Sequence, residues 1–162
     1  MNIARSRRSR LAFLARIARR EMRHLRLTDQ RLFGKPFTLE QAASLENDLD
    51  LGERVDAFVS RFGRLQDTVG DKLLPQYLAA VGETMGAMID NLTRAEKLGL
   101  IESADLWIEL RNMRNLMIHE YIEDPKVLVG ALNRAHEHVE MLVSDAVRIL
   151  EDLEGRGWIS GA

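Results

Sequence analysis

The sequence predicts an all-α fold, an up-and-down bundle of four long helices plus an additional basic helix at the N-terminus. Leu, Ala, Arg and Glu dominate its 162 residues, as is typical of helical proteins. Apolar residues recur at steps of three and four along most of the chain, and no segment alternates like a strand. The only prolines are Pro36, Pro75 and Pro125. Since no apolar run approaches the roughly 20 residues that span a bilayer, we expect no membrane segment.

The first 31 residues differ sharply in charge from the rest of the chain. They hold ten Arg against two acidic residues, a net charge of +8, whereas residues 32–162 carry a net charge of −10. Apolar residues at helical spacing from Leu11 to Leu25 predict a basic amphipathic helix here. It could dock on the body by its apolar stripe, bind RNA phosphates through Arg, or serve as an organelle transit peptide. These three interpretations stay open.

The main body is expected at residues 38–154. Thr38 and Gln41 form a capping-box pair that begins a helix reaching about residue 70. Pro75 should interrupt or kink the next segment, after which residues 81–95 resume the pattern, with Met85 and Met88 as core residues and Gly99 as a C-terminal cap. The cap and first helical residue predicted for the last helix are Asp124 and Pro125, and its apolar seam runs to Leu153. Residues 155–162 resemble a flexible tail.

The helix predicted between Ser103 and Tyr121 carries the candidate chemistry. Leu106, Leu110, Met113 and Met117 recur at steps of four and three and should face the core. A second stripe on the same helix is polar in an unusual way. It contains the residues Arg111, Asn112, Asn115 and His119. Asn is disfavoured inside helices, because its amide competes for backbone groups. The stripe therefore indicates either a site or a solvated helix end.

Arg114, Asn115, His119 and Tyr121 form the pattern R-N-x-x-x-H-x-Y. It closely resembles the signature of HEPN-domain proteins, specifically the HepT-like toxins of HepT–MntA toxin–antitoxin pairs. The resemblance covers the motif helix, and the helical order from Thr38 to Leu153 agrees with that family's bundle. The basic segment before residue 32 lies outside it.

The resemblance implies a metal-independent RNA endonuclease that acts as a homodimer, with no cofactor. It assigns Arg114 and His119 as the catalytic pair and Asn115 as the supporting polar residue. Tyr121 matches the tyrosine that an MntA-like nucleotidyltransferase antitoxin modifies with AMP to silence the toxin. An alternative for the same fold is a non-catalytic nucleotide- or substrate-binding partner of a nucleotidyltransferase. A purely structural helical dimer is a third interpretation.

The residue chemistry points the same way. RNA cleavage without metal needs a group that accepts the 2′-hydroxyl proton and one that protonates the leaving oxygen, and His suits both roles. Arg supplies a permanent cation for the phosphorane charge. Arg114 and His119 are five apart, about 140° around a regular helix, so an unwound helix end or a second chain is needed to bring them together.

The remaining candidates are weaker. Arg111 is expected either as an auxiliary substrate contact or in a surface pair with Glu109 or Glu120. Tyr121 could instead pack on the body as a helix-end aromatic. His136 and His138 point to opposite sides of a helix, so no metal site is predicted. The absence of Cys agrees with a cytoplasmic protein.

Overall fold

The computed structural model describes the backbone of residues 3–161 and the side chains of residues 3–119 and 123–161. The described residues are all-helical, without strands. The helices are α1 (Arg5–Leu32), α2 (Leu39–Ala43), α3 (Leu49–Gln66), a π-helical segment (Asp67–Leu73), α4 (Leu74–Ala80), α5 (Met88–Lys97), α6 (Ala104–Glu123), α7 (Pro125–Glu137) and α8 (Val139–Gly155). None of the described helices is long and apolar enough to cross a membrane.

The basic N-terminal helix is the longest of these elements and belongs to the core. Its apolar stripe, including Leu11, Leu14, Ala18 and Leu25, is buried against α3 and α8. The expected docking of this stripe on the body is therefore confirmed. The description of α1 as an addition to a separate bundle needs correction, because seven of its residues belong to the one continuous apolar core.

The single helix expected from Thr38 to about residue 70 is divided. The Thr38 capping box is present, but α2 ends after five residues. Residues 44–47 then form turns, and the Asp48 carboxylate accepts a hydrogen bond from the Leu51 amide to cap α3. The apolar periodicity of the sequence begins only at Leu51, so the break lies where the heptad seam has not yet started.

Pro75 was expected to interrupt or kink the helical segment, and the structure shows a local change of helix type at this point without a loop. The π-helical segment directly precedes Pro75, and the Leu74 amide reaches back five residues to the Val69 carbonyl. Proline lacks an amide hydrogen, and its ring would clash with the carbonyl four residues earlier in a regular helix. The wider π turn accommodates both restrictions, so α3, the π segment and α4 follow one another without a loop.

The helix after Pro75 is shorter than its apolar pattern suggested. The chain turns at Gly82 with a φ of 81°, and α5 begins only at Met88. Met85 is 50% exposed, so its assignment to the core was wrong. Gly99 does cap α5, with a φ of 75° and a bond from the Leu100 amide to the Ala95 carbonyl, as predicted.

The C-terminal part contains two further differences. Asp124 and Pro125 begin α7 as predicted, but the expected continuous last helix breaks at His138. The His138 Nδ1 donates to the Arg134 carbonyl at 2.9 Å, and this side-chain bond competes with the helical ladder. Beyond α8, Gly157 turns the chain back with a φ of 71°. Trp158 and Ile159 are consequently buried, in contrast to the flexible tail expected for residues 155–162.

Candidate functional site

An open groove of about 520 Å³ lies between α3 and α6. Its apolar surface comes from Val59, Met117 and Ile118, and Ile118 is 51% exposed. Charged and polar side chains surround this surface. The full lining consists of Asp56, Val59, Ser60, Gly63, Arg64, Asp67, Arg114, Met117 and Ile118. The groove thus combines an apolar surface with two guanidinium groups, an arrangement suited to a planar ring that carries an anionic group.

Arg114 is the one residue of the predicted catalytic pair that lines this groove. Its Nη1 donates to the Asp67 Oδ1 at 2.7 Å, and both side chains are about one-third exposed or less. Gly63 allows Arg114 to cross α3, because a β-carbon at Gly63 would lie 2.7 Å from the Arg114 Nε. The Asp67 carboxylate therefore holds the guanidinium at the groove, and the absence of a side chain at Gly63 leaves the space that the guanidinium occupies.

His119 lies on the exposed surface of α6 and does not line the groove. The helix continues without a break from Ala104 to Glu123. An unwound helix end, one of the two ways to unite His119 with Arg114, is therefore absent from the structure. Within one chain the two residues stay about 140° apart around α6.

The other polar residues of the motif helix differ in exposure and in their hydrogen-bond partners. Asn112 and Asn115 are exposed. Arg111 makes a two-point ion pair with Asp71, with N–O distances of 2.9 and 3.0 Å. This hydrogen bond raises the pKa of Arg111. Arg111 thus pairs with Asp71, while Glu109, one of the two expected partners, pairs with Arg134 of α7. The side chain of Glu120, the other expected partner, lies outside the described residues. The side chain of Tyr121 lies outside the described residues.

Two contacts fix the motif helix on the body. Trp107 of α6 donates its Nε1 hydrogen to the buried Asp145 of α8 at 2.8 Å. The second oxygen of Asp145 accepts from the Glu102 amide and from Arg148. Burial raises the pKa of Asp145, while the Trp107 bond opposes that rise. This buried network anchors the start of α6 to α8, about two turns before Arg114.

The residues of α3 that line the groove were not predicted from the sequence. Asp56, Ser60, Gly63 and Asp67 lie four, three and four residues apart, so they form one polar stripe beside the apolar seam of α3. That spacing was available as a signal, because a solvated helix face carries long charged side chains more often than Ser and Gly. Arg64 also lines the groove and is exposed.

Glu21 links α1 to this region. Burial raises its pKa, and this rise is opposed first by a hydrogen bond with Thr68 and then by the charges of Lys72 and Arg64. Since α1 also packs directly against α3, which forms one wall of the groove, the groove and the basic helix are neighbours.

Among residues 3–119 and 123–161, no three His, Asp or Glu side chains form a group that could hold a metal ion. Comparison of the chain with protein-family models, with curated proteins and with solved structures finds no match.

Proposed function

We propose that the chain is a HEPN-type RNA endonuclease, the toxin of a toxin–antitoxin pair, which acts as a homodimer in the cytoplasm. The observation that carries this proposal is the placement of Arg114, the arginine of the R-N-x-x-x-H-x-Y motif, in an open groove. His119 five residues later is exposed and available to a second chain. No cofactor is part of the proposal.

The proposed reaction is an internal attack. One imidazole accepts the 2′-hydroxyl proton as the 2′ oxygen bonds to phosphorus, and a protonated imidazole donates a proton to the leaving 5′ oxygen. The P–O5′ bond breaks, leaving a 2′,3′-cyclic phosphate and a 5′-hydroxyl. Arg114 balances the extra negative charge of the phosphorane. The Asp67 carboxylate that holds Arg114 at 2.7 Å has to share the guanidinium with this anion.

A twofold dimer resolves the separation of the two residues on α6. Since α6 is regular through Glu123, one chain cannot turn Arg114 and His119 towards the same phosphate. Two antiparallel α6 helices at an isologous interface would place His119 of one chain opposite Arg114 of the other. The exposed Ile118, beside His119, supplies apolar surface for this contact.

For the architecture we infer four helical rods, namely α1, α3 with the π segment and α4, α6, and α7 with α8. Ion pairs between neighbours support alternating directions, as in an up-and-down bundle. Arg111 and Arg114 of α6 pair with Asp71 and Asp67 respectively, so these two rods run in opposite directions. Arg19 and Arg26 of α1 pair in the same reversed order with α8.

Silencing by AMP transfer is the regulatory part of the proposal. An MntA-like nucleotidyltransferase would attach AMP to the Tyr121 hydroxyl, releasing pyrophosphate from ATP. The added phosphate would bring negative charge and bulk to the side of α6 that carries Arg114, seven residues earlier, and oppose RNA entry. The test is mass spectrometry of the chain after incubation with the nucleotidyltransferase and ATP, using Tyr121→Phe as the unmodified control.

The nuclease itself is tested by incubating purified protein and RNA in the presence of a chelator. We expect the wild-type chain to cleave RNA and the Arg114→Ala and His119→Ala variants to lose cleavage while staying folded. Arg94→Ala is the matched control, because Arg94 lies on α5 outside the groove and makes only a 3.5 Å ion pair with Glu83. Cleavage of RNA by His119→Ala at the wild-type rate would contradict the nuclease proposal.

The second candidate is a non-catalytic nucleotide- or substrate-binding partner of a nucleotidyltransferase. The groove favours it, because about 520 Å³ with an apolar surface and two Arg can take one nucleotide without any role for His119. Titration with ATP in the absence of RNA distinguishes the candidates. Binding that depends on Arg114, together with intact RNA after incubation, would support this second function over the first.

A further inference from the structure

The outer surface of α1 carries a stripe of five exposed residues that the core does not use. Phe13, Arg16, Arg20, Arg23 and Leu27 follow one another at steps of three and four, so they share one side of the helix. From Phe13 to Leu27 this outer stripe is about 21 Å long. The opposite side of α1 is buried in the core, as described above. The stripe is therefore the part of α1 that faces solvent.

The three arginines of the outer stripe have no acidic partner among the described residues. Other arginines of α1 do have partners, since Arg19 pairs with Glu154 and Arg26 with Glu140. The chain thus neutralises those basic residues that face α8 and leaves the outward ones uncompensated. Such a row of like charges repels itself, and a bound polyanion would remove that repulsion.

Phe13 adds an aromatic ring to this row. It is 43% exposed, and the guanidinium groups of Arg10 and Arg16 lie 5.5 and 5.9 Å from its ring centroid. The attraction between the two cations and the π face keeps both guanidinium groups beside the exposed ring. This arrangement is useful where a base stacks on the ring while its flanking phosphates meet the arginines.

We infer that the outer stripe of α1 binds the phosphate backbone of single-stranded RNA and stacks a base on Phe13. The remainder of the chain has a net charge of −10, so α1 is the surface to which a polyanion is drawn. The bound strand can continue towards the α3–α6 groove, because α1 packs directly against α3, which forms one wall of that groove. The identification of the polyanion as RNA rests on the proposed nuclease function.

An anionic membrane is the competing partner for a basic helix, and the packing of α1 disfavours it. Membrane-surface helices insert an apolar face between lipids. In this chain that face is occupied by the core, and only Phe13 and Leu27 at the two ends of the outer stripe remain apolar and exposed. Three arginines between them suit phosphates in a strand better than an apolar boundary.

The test measures binding of a short labelled single-stranded RNA by fluorescence anisotropy, in a His119→Ala background so that the RNA stays intact. We expect Arg16→Gln/Arg20→Gln/Arg23→Gln to bind at least about tenfold more weakly. Its salt slope should fall by about 2, since each lost phosphate contact on a single strand removes about 0.7. Phe13→Ala should weaken binding at least about fivefold, the loss expected for one stacked base.

The matched control is Lys35→Gln/Lys97→Gln/Lys126→Gln, which removes the same charge from three exposed positions away from α1. It should bind RNA nearly as well as the parent protein. Equal loss of RNA binding in both triple variants would show that binding depends only on the net charge of the chain, and this would overturn the inference. So would binding to phosphatidylglycerol vesicles, but not to RNA, through the same arginines.

The result of this RNA-binding test can be distinguished from the result of the nuclease test. Intact RNA after incubation with the wild-type chain, with binding still dependent on the outer stripe, contradicts the nuclease alone. Cleavage by the wild-type chain, with binding independent of Arg16, Arg20 and Arg23, contradicts this inference alone.

Discussion

Gly63 and Arg114 occupy the same point of contact between α3 and α6, where a β-carbon on Gly63 would lie 2.7 Å from the Arg114 Nε. We therefore expect Gly63→Ala to displace the Arg114 side chain from Asp67 and to reduce RNA cleavage at least tenfold. The fold should survive, because Ala favours the helix over Gly by up to about 1 kcal/mol and this gain offsets local repacking. Cleavage rates and thermal unfolding of the same preparation check both expectations.

Gly130→Ala is the matched control for this substitution. Gly130 also lies within a helix, α7, but a β-carbon there meets nothing within 4 Å. It should gain stability and keep full activity. Undiminished cleavage by Gly63→Ala would show that the position of Arg114 in the groove does not matter to the reaction.

The pair between Arg111 and Asp71 allows a test of Arg111 as an auxiliary substrate contact. The pair is about one-third exposed, so Arg111→Ala should cost less than about 1 kcal/mol in the free energy of unfolding. If Arg111 binds substrate, its loss raises KM with little change in kcat, whereas Asp71→Asn releases the guanidinium and leaves KM unchanged or lower. Equal effects of both variants on KM would instead assign the pair a structural role.

The burial of α1 predicts a large difference between two identical substitutions on one helix. Leu14 is 1% exposed, and Leu14→Ala should destabilise the protein by about 2–5 kcal/mol. Leu27 is 51% exposed, and Leu27→Ala should change stability by less than about 0.5 kcal/mol. Urea unfolding followed by circular dichroism gives both values. Similar small losses would mean that α1 is separable from the core.

Trp107→Phe should produce a pH-dependent loss of stability. It removes the Nε1 donor from buried Asp145, which costs about 1–3 kcal/mol at neutral pH, where the carboxylate is charged. Burial raises the pKa of Asp145 above 3.8, so the folded state binds a proton more readily than the unfolded state. The stabilisation that protonated Asp145 contributes to the fold is fully present below pH 3.8, and it is lost as the pH rises through the pKa of Asp145 in the folded state.

Losing the Trp107 donor raises that pKa further, so the deficit of Trp107→Phe should shrink as the pH falls from 7 towards 3.8. Denaturant unfolding across this range measures the trend. A double-mutant cycle with Asp145→Asn serves as the control, since the trend should disappear without the carboxyl group. A deficit that is constant with pH would assign the loss to packing of the indole ring.

The sequence predicted the all-helical class and most of the caps because these depend on local chemistry. Thr38 with Gln41, Asp124 with Pro125, and Gly99 each satisfy a helix end within four residues. The breaks within periodic segments were not predictable in this way. The turn at His138 depends on one side-chain bond to a backbone carbonyl, and periodicity continues across it.

The candidate site was predicted only on α6. The spacing of Arg114 and His119 identified the motif and predicted that the two residues lie on different sides of a regular helix. Because α6 is regular, they do so in the structure. The opposite wall was missed, since only the tertiary pairing of α3 with α6 brings Asp67 and Gly63 to Arg114. Burial of Trp158 was missed for the same reason: it follows from a turn at Gly157 and from distant packing.

The contact of Arg19 with Glu154 and with the Ser160 carbonyl joins α1 to the end of α8 and to the residues that follow it. Contacts so distant in sequence form late and slow folding, because most of the chain has to be ordered before they can close. Because α1 precedes α8 in the chain, the apolar stripe of α1 would stay partly uncovered during synthesis until α8 had been made. A chain that stopped before α8 would lack this part of the cover of α1 and could not complete its core.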